Sequence, residues 1–551
     1  MKKHFIFLTF AAAMLATMLL GCHDAQNGKV PMSTAKQDTE ETISLTEVTY
    51  GNESTDAAIQ MILENMLAEN SDASHIMSDL AFDFNVEDQI CMYTVVDSDV
   101  IDSKGAIKEV TEDTNVNVYV KYRGGECYFT FTVLSPTSAS YAVMEQVADN
   151  MFHNMDNVRD HISLPATAGK NDEISIIWAS SNPDVITDTA TGEGDVIPAG
   201  YVTRGAKDTV VTLTAELTNG TDTITREYEL TVKAAPIAKE YTKYVYTYFQ
   251  ANIYGNGESQ HIHMATSEDG FFWDSLNNDE YILEATLGTG GVRDPFLLRS
   301  SYGDHFYLIG TDLDANGGDW ASYGNEGSHY IYVWESDDLV NWSEPRLVRI
   351  APSNAGCTWA PESTYDPTTG EYVVYWSTGL KGSGKQIWYA KTRDFYTFTE
   401  PQVYKPFSSG TTYIDTTMIE YDGRYYRFTK NENNLTILLE TSDAVLGDYS
   451  LVKTVIADEY GVEGPSIYQV FGEEKWVLYM DGYADENSGV GYFPLIAESL
   501  NDLQNANFRR LSEDEFEMPL GAKHGSFMPI TDEEYNALLE KWGDYENRTI
   551  K

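Results

Sequence analysis

Five short phrases place groups capable of acid–base chemistry at the start of apolar, strand-like runs. Asp294 opens "RDPFLLRS", Glu362 lies in "TWAPESTYD", Asp415 in "YIDTTMIEYDG", and Glu463 in "VEGPSIYQVFG". A fifth phrase, "KHGSFMPIT", puts His524 at the matching place. Carboxylates that converge on one mouth repel each other, and their pKa values are pushed apart, so that one stays protonated while another stays ionised. A protonated acid beside an ionised one is what glycosidic-bond hydrolysis requires: one group protonates the leaving oxygen while the other activates water or attacks.

Something must hold these mouths together. From residue 266 onward a phrase recurs, "TSEDGFFW", "ESDDLVNW", "KTRDFYTF", "TSDAVLGDY" and "AESLNDLQNANF", at intervals of roughly 50 to 70 residues. Strand pairs such as "HFYLIGTD" with "YIYVWES" precede each phrase. Self-similarity at this period, with about four strands per unit, is the mark of a β-propeller, and five phrases imply five blades. The phrases themselves read as turns that carry one outer strand to the next blade. The first strand group, "YVYTYFQANI" with "HIHMATSED", lacks an inner strand of its own. The C-terminal "HGSFMPI" run can supply it, closing the ring and removing two exposed edges. On this reading the four carboxylates occupy equivalent positions on four inner strands, with His524 on the fifth.

The bulk composition agrees with such a protein. The chain has 551 residues, 42% of them hydrophobic, with 37 Tyr and 10 Trp, enough for several large cores and for aromatic surfaces on which sugars stack. Its 86 acidic against 36 basic residues give a formal charge of −50, which repels polyphosphate and excludes nucleic acid as a partner. A neutral or weakly charged ligand is expected, without a required cofactor.

Ahead of the propeller the chain is built differently. Residues 1–22, "MKKHFIFLTFAAAMLATMLLGC", have a basic start and an apolar run, as in a signal peptide. The Leu-Leu-Gly-Cys ending resembles the bacterial lipobox, which makes Cys22 a lipidation site, residues 23–55 a flexible tether, and the location extracellular and membrane-anchored. Residues 56–134 and 140–233 look like two copies of one unit, each a short helix followed by alternating strands with Gly, Asn and Asp turns. Aligning their shared Asp-Val-Ile sets Tyr93 on Trp178 as a core aromatic. The second copy resembles the atrophied bacterial immunoglobulin-like domains of secreted enzymes, the first a divergent version of them. Cys91 and Cys127 fall in strand-like segments of one small domain and could pair across it, whereas Cys357 reads as a free, buried thiol.

The order and separation of "RDPFLL", "SDDLVNW", "WAPESTYD", "YIDTTMIEYDGRYY", "VEGPSIYQ" and "KHGSFMPITDEEY" within residues 240–551 resemble glycoside hydrolase family 43. The resemblance implies an all-β fold, a five-bladed propeller behind two immunoglobulin-like sandwiches. It implies inverting hydrolysis of arabinose- or xylose-containing polysaccharides, with Asp294 as general base, Asp415 as the residue tuning and orienting the acid, and Glu463 as general acid. Trp359 is then a stacking platform or a structural tryptophan, and Glu362 binds substrate hydroxyls or caps its strand. Lys430 offsets the acids or lies on the rim, and His524 stands near the channel, where the family sometimes holds a cation such as calcium. Two other readings stay open: a surface glycan-binding lipoprotein without catalysis, and a fructan-cleaving relative, although no Asn-Asp-Pro-Asn-Gly segment precedes Tyr244.

Overall fold

A computed structural model of the chain describes residues 19–23, 53–82, 85–86, 89–96, 98–122, 125–169, 172–194, 196–252, 258–381, 383–406 and 410–543. The expected leader (1–22) and tether (23–55) lie outside the described residues, apart from the backbone of the strand Leu19–His23 and the start of the helix Glu53–Leu67. No helix among the described residues is long and apolar enough to cross a membrane. The chain forms two compact units, one of residues 1–153, 166–177 and 215–226, the other of residues 154–165, 178–214 and 227–551.

In the first unit a four-stranded sheet runs in the order Leu19–His23, Gly125–Val133, Thr114–Tyr122, Met92–Val96. Strand Thr114–Tyr122 buries Val116, Val118, Val120 and Tyr122, every second residue, as a sheet with one face on a core must. Ile59, Ile62 and Met66 of the helix Glu53–Leu67 belong to the same core. The bridge open to Cys91 and Cys127 is not made: Cys91 carries a buried free thiol. The reason is strand order. Cys127 lies on Gly125–Val133, and Thr114–Tyr122 separates that strand from the one Cys91 leads into. Two sheet spacings come to about 9.5 Å, beyond the reach of a disulfide.

A further four-stranded sheet is ordered Thr223–Val232, Thr209–Thr218, Ile174–Ser180, Thr167–Ala168. Trp178 is buried there and donates its indole N–H to the Pro165 carbonyl at 2.9 Å.

The propeller consists of five four-stranded antiparallel sheets. Their inner strands are Ala522–Ile530, Val292–Arg299, Trp359–Asp366, Tyr413–Tyr421 and Val462–Gln469. Each of the five lies against two of the others, so the contacts run round in a ring. The C-terminal strand Ala522–Ile530 pairs with Lys243–Gln250 as expected, Tyr246 opposite Phe527 and Thr247 opposite Ser526. Second strands such as Phe306–Asp312 and Glu371–Thr378 are buried along their whole length, which explains why their sequences run apolar without alternation. The recurring phrases are turns. Ser336 Oγ accepts the Leu339 N–H at 2.9 Å, and Asp338 Oδ1 accepts those of Val340 and Asn341 at 2.9 and 2.7 Å. Thr392 with Asp394 and Ser267 with Asp269 repeat the arrangement.

The same compact unit holds residues 154–165, 178–214 and 227–233 against the blades through a buried polar seam. Arg204 donates to both oxygens of Asp304 at 2.6 and 2.7 Å and to the Lys233 carbonyl at 3.0 Å. Asp160 accepts from Ser301 Oγ at 2.7 Å and from the Tyr372 hydroxyl. Arg393 reaches the Pro198 and Ala199 carbonyls at 3.0 and 2.7 Å. His161 accepts the Val202 N–H on Nδ1 at 3.1 Å, and burial pulls its pKa down to about 4, so the ring is neutral at this seam.

Candidate active site

Four of the five inner strands begin with the same distortion. The pairing of each with its second strand slips at Arg293/Phe296, Trp359/Glu362, Ile414/Thr416 and Glu463/Ser466. At each slip one residue takes a left-handed φ: Asp294 (50°), Ala360 (47°), Asp415 (45°) and Gly464 (52°). For three non-glycine residues this conformation costs roughly 1–2 kcal/mol each, so the surroundings must enforce it. At Ala360, Asp415 and Gly464 they do so from the preceding blade. The Ala360 N–H donates to Thr311 Oγ1 (2.8 Å), that of Asp415 to Ser377 Oγ (3.0 Å), and that of Gly464 to Asp415 Oδ2 (3.0 Å).

These bulges correct the expectation that the four carboxylates are positional equivalents. Only Asp294 and Asp415 occupy the left-handed position. Glu463 precedes it and so matches Arg293, Trp359 and Ile414, whereas Glu362 follows it by two residues and matches Phe296, Thr417 and Ser466. Because successive side chains of a strand point to opposite faces, a shift by one residue re-aims the carboxyl. The acids therefore differ in exposure. Side chains of Glu463 and Asp294 remain 30% and 16% exposed, Glu362 only 4%. Asp415 is buried.

The site is nonetheless one cluster. His524, from the fifth inner strand, places Nδ1 3.2 Å from Asp294 Oδ1 and Nε2 4.0 Å from Glu362 Oε1. Burial alone would discharge this imidazole, but Asp294, Asp415 and Glu362 outweigh burial and raise its pKa to about 9. Asp294 responds in kind. Burial pushes its pKa up, yet the His524 pair, Arg293 and the Thr311 hydroxyl at 2.9 Å hold it below the usual carboxylate value. Glu362 is the opposite case: burial, helped by Asp415, drives its pKa to about 8, so it is a neutral acid at pH 7. Asp415 is raised to about 6, first by burial and then by Glu463 and Asp294, against the pull of His524 and Lys430.

Lys430 is an internal counter-charge and not a rim residue, at 1% side-chain exposure. Its Nζ donates to Glu463 Oε2 at 2.8 Å and to the Tyr483 hydroxyl at 2.9 Å, and it pairs with Glu432 at 2.6 Å. Burial works against its charge, but Glu463, Asp415 and Glu432 keep its pKa above that of a free lysine. Trp359 is half-buried, with Lys385 Nζ 4.4 Å from its ring centroid. Among the described residues no group of three or more His, Cys, Asp or Glu side chains could hold a metal ion.

Two groups escape a reading of the sequence. Asp481, the strand partner of Glu463, is buried, raised in pKa chiefly by burial, and paired with Lys523 at 3.0 Å. An acid inside the otherwise apolar "WVLYMDG" was its only signal. Arg293 directly precedes Asp294 and lies over the Phe249 ring at 4.2 Å.

A five-bladed propeller whose channel mouth gathers partly exposed carboxylates among buried ones, with a histidine and a lysine as counter-charges, has the form of a glycoside-cleaving enzyme. The chain belongs to the family-43-related glycosyl hydrolases: residues 239–536 match the family model described as a probable glycosyl hydrolase domain. Residues 144–235 match the atrophied bacterial Ig domain. Over 307 residues the chain is 35% identical to an α-L-arabinofuranosidase of Bifidobacterium longum, covering 50% of this chain and 28% of that protein. An exo-1,5-α-L-arabinanase from a bovine ruminal metagenomic library aligns at 17% identity and TM-score 0.35, covering 52% of this chain and 95% of the other. A Cellvibrio cellulosa α-L-arabinanase aligns at 14% identity and TM-score 0.33, covering 47% and 92%.

Proposed function

We propose that this chain hydrolyses α-L-arabinofuranosyl bonds in plant polysaccharides or their oligosaccharides, with inversion at the anomeric carbon. Asp294, ionised and steadied by His524 and Thr311, takes a proton from the attacking water. Glu463 protonates the leaving oxygen. Asp415 stands between them, accepting the N–H of Gly464 next to Glu463 and sharing the field of Asp294. The observation that carries the reading is selective exposure: of four carboxylates in the cluster, the two left open to a ligand are Asp294 and Glu463. The choice of arabinose draws on the similarity to the Bifidobacterium longum α-L-arabinofuranosidase. Proton NMR of the first-formed anomer from arabinan or arabinoxylan tests both sugar and stereochemistry. Release of a sugar with retained configuration, or no release of arabinose, would overturn it.

We further propose that this activity lies outside the cell on a lipid anchor, a reading supported by the signal-peptide-like residues 1–22 and the lipobox-like Leu-Leu-Gly-Cys ending at Cys22. Cys22→Ser should then release the protein from the membrane fraction.

A further inference from the structure

Asp481 sits at the mouth without a task in the chemistry above. It lies near the end of the strand Trp476–Gly482, directly opposite Glu463. Residues that face each other across an antiparallel pair project from the same face with Cβ atoms about 5 Å apart, and like charges so placed repel. The Asp481 side chain is 4% exposed, so little water screens it. Its counter-charge is Lys523, with Nζ 3.0 Å from Oδ1, on the strand Ala522–Ile530 that closes the ring. The Lys523 backbone is tied down in turn, since its carbonyl accepts the Tyr246 hydroxyl. The rest of Trp476–Gly482 is uncharged and buried, and an apolar residue at 481 would pack there without repulsion.

The other groups around Glu463 show what that repulsion does. Lys430 Nζ touches Glu463 Oε2 at 2.8 Å, with Glu432 and the Tyr483 hydroxyl behind it. Asp415 accepts the Gly464 N–H, and Tyr492 donates to the Gly464 carbonyl at 2.9 Å. His524 follows Lys523 on the closing strand. A cation in contact favours the ionised carboxylate, whereas a general acid must hold a proton when substrate arrives. Among the neighbouring carboxylates, Glu432 is 39% exposed and screened by water, and Asp415 has one oxygen taken by the Gly464 N–H. Asp481 is buried and faces Glu463 itself. We infer that Asp481 is a positioning residue for the general acid: its charge, set across the strand pair and anchored by Lys523, offsets Lys430 and keeps the proton on Glu463. Burial first and Glu463 next raise the pKa of Asp481 in turn, as a mutual repulsion requires. This rests on the reading of Glu463 as the acid and adds the residue that lets it act as one.

The test is a pair of pH–rate profiles. Asp481→Asn keeps the size of the side chain and an acceptor for Lys523 but removes the charge. For linear arabinotriose the alkaline limb of kcat/KM, which reports the essential acid, should move to lower pH by about one unit. On that limb the rate should fall about tenfold, and below it the rate should stay within about twofold. A dinitrophenyl α-L-arabinofuranoside, whose leaving group needs no proton, should show no such shift. Asp481→Glu retains the charge and should return the limb to the parent's position. The double variant Asp481→Asn/Lys523→Met leaves no buried charge unpaired, and it decides the matter if the single variant does not fold; its limb should move in the same direction. An unmoved limb, or equal losses on both substrates at every pH, would overturn the role of Asp481 and leave it a structural partner of Lys523. Where Glu463→Ala spares the dinitrophenyl substrate while Asp481→Asn leaves the limb in place, only this inference falls. Equal losses for Glu463→Ala on both substrates overturn the acid reading, and this inference with it.

Discussion

His524 Nδ1 lies 3.2 Å from Asp294 Oδ1, and this pair sets the protonation pattern of the whole mouth. A cation from the strand that closes the ring keeps Asp294 ionised, while the more deeply buried Glu362, 4.0 Å from the other nitrogen, is left neutral.

Glu362 makes stability depend on pH in a defined sense. Its folded pKa of about 8 lies above the unfolded value of 4.5, so its contribution is full below about pH 4.5 and is lost as pH rises through about 8. Glu362→Gln cannot ionise. Its melting temperature should therefore fall less than the parent's between pH 5 and 8.5 and should exceed it at pH 8.5 by a few degrees, at roughly 2–4 °C per kcal/mol. Parallel Tm–pH curves for the two proteins would contradict the assignment.

The two exposed acids separate by leaving group. Glu463→Ala should cut turnover of natural glycosides by about 10²–10⁴-fold and that of dinitrophenyl glycosides far less, since a good leaving group needs no proton. Asp294→Ala should abolish both, because the water loses its base. The ratio of losses on the two substrates decides; equal losses for Glu463→Ala would make it a binding residue.

Gly464 carries the left-handed bend next to Glu463, at φ 52°, and a Cβ there would come within 2.7 Å of His524 Cγ. Gly464→Ala should cost about 1–3 kcal/mol of stability and displace the imidazole from Asp294. Activity should drop at least about tenfold with an acid limb moved to higher pH, because Asp294 loses its cation. A pH–rate profile checks this.

The seam between the blades and residues 154–165, 178–214 and 227–233 of the same unit should be needed by the propeller. Arg204 is fully buried at its side chain and bound to Asp304, so Arg204→Ala leaves a buried carboxylate without its main partner and should cost about 3–5 kcal/mol. A fragment starting at Glu240 also loses the partners of Tyr372 and Arg393, and should melt well below one starting at Pro136. Equal melting temperatures would show that the blades stand alone.

Much of this protein is readable along the chain, because the signals are local. Turn phrases such as Ser336-Asp337-Asp338 close on their own backbone within three residues, so their recurrence counts the blades. The missing inner strand of the first group pointed to "HGSFMPI", since an unpaired strand edge must be covered. Asp294, Asp415 and Glu463 were visible as acids where apolar strands begin.

The states and directions of those groups were decided by tertiary structure. A bulge and a left-handed φ held by Thr311, Ser377 and Asp415 from preceding blades put Glu463 and Glu362 out of register with the two aspartates, which no spacing in "WAPE" or "VEGP" reveals. Sheet order kept Cys91 from Cys127. Protonation followed from burial and from charges far away in sequence: His524 is charged by Asp294, 230 positions earlier, and Lys430 is held by Glu463, 33 positions later. Electrostatic energy falls with distance in space and with exposure to water, and neither quantity is written in the order of residues.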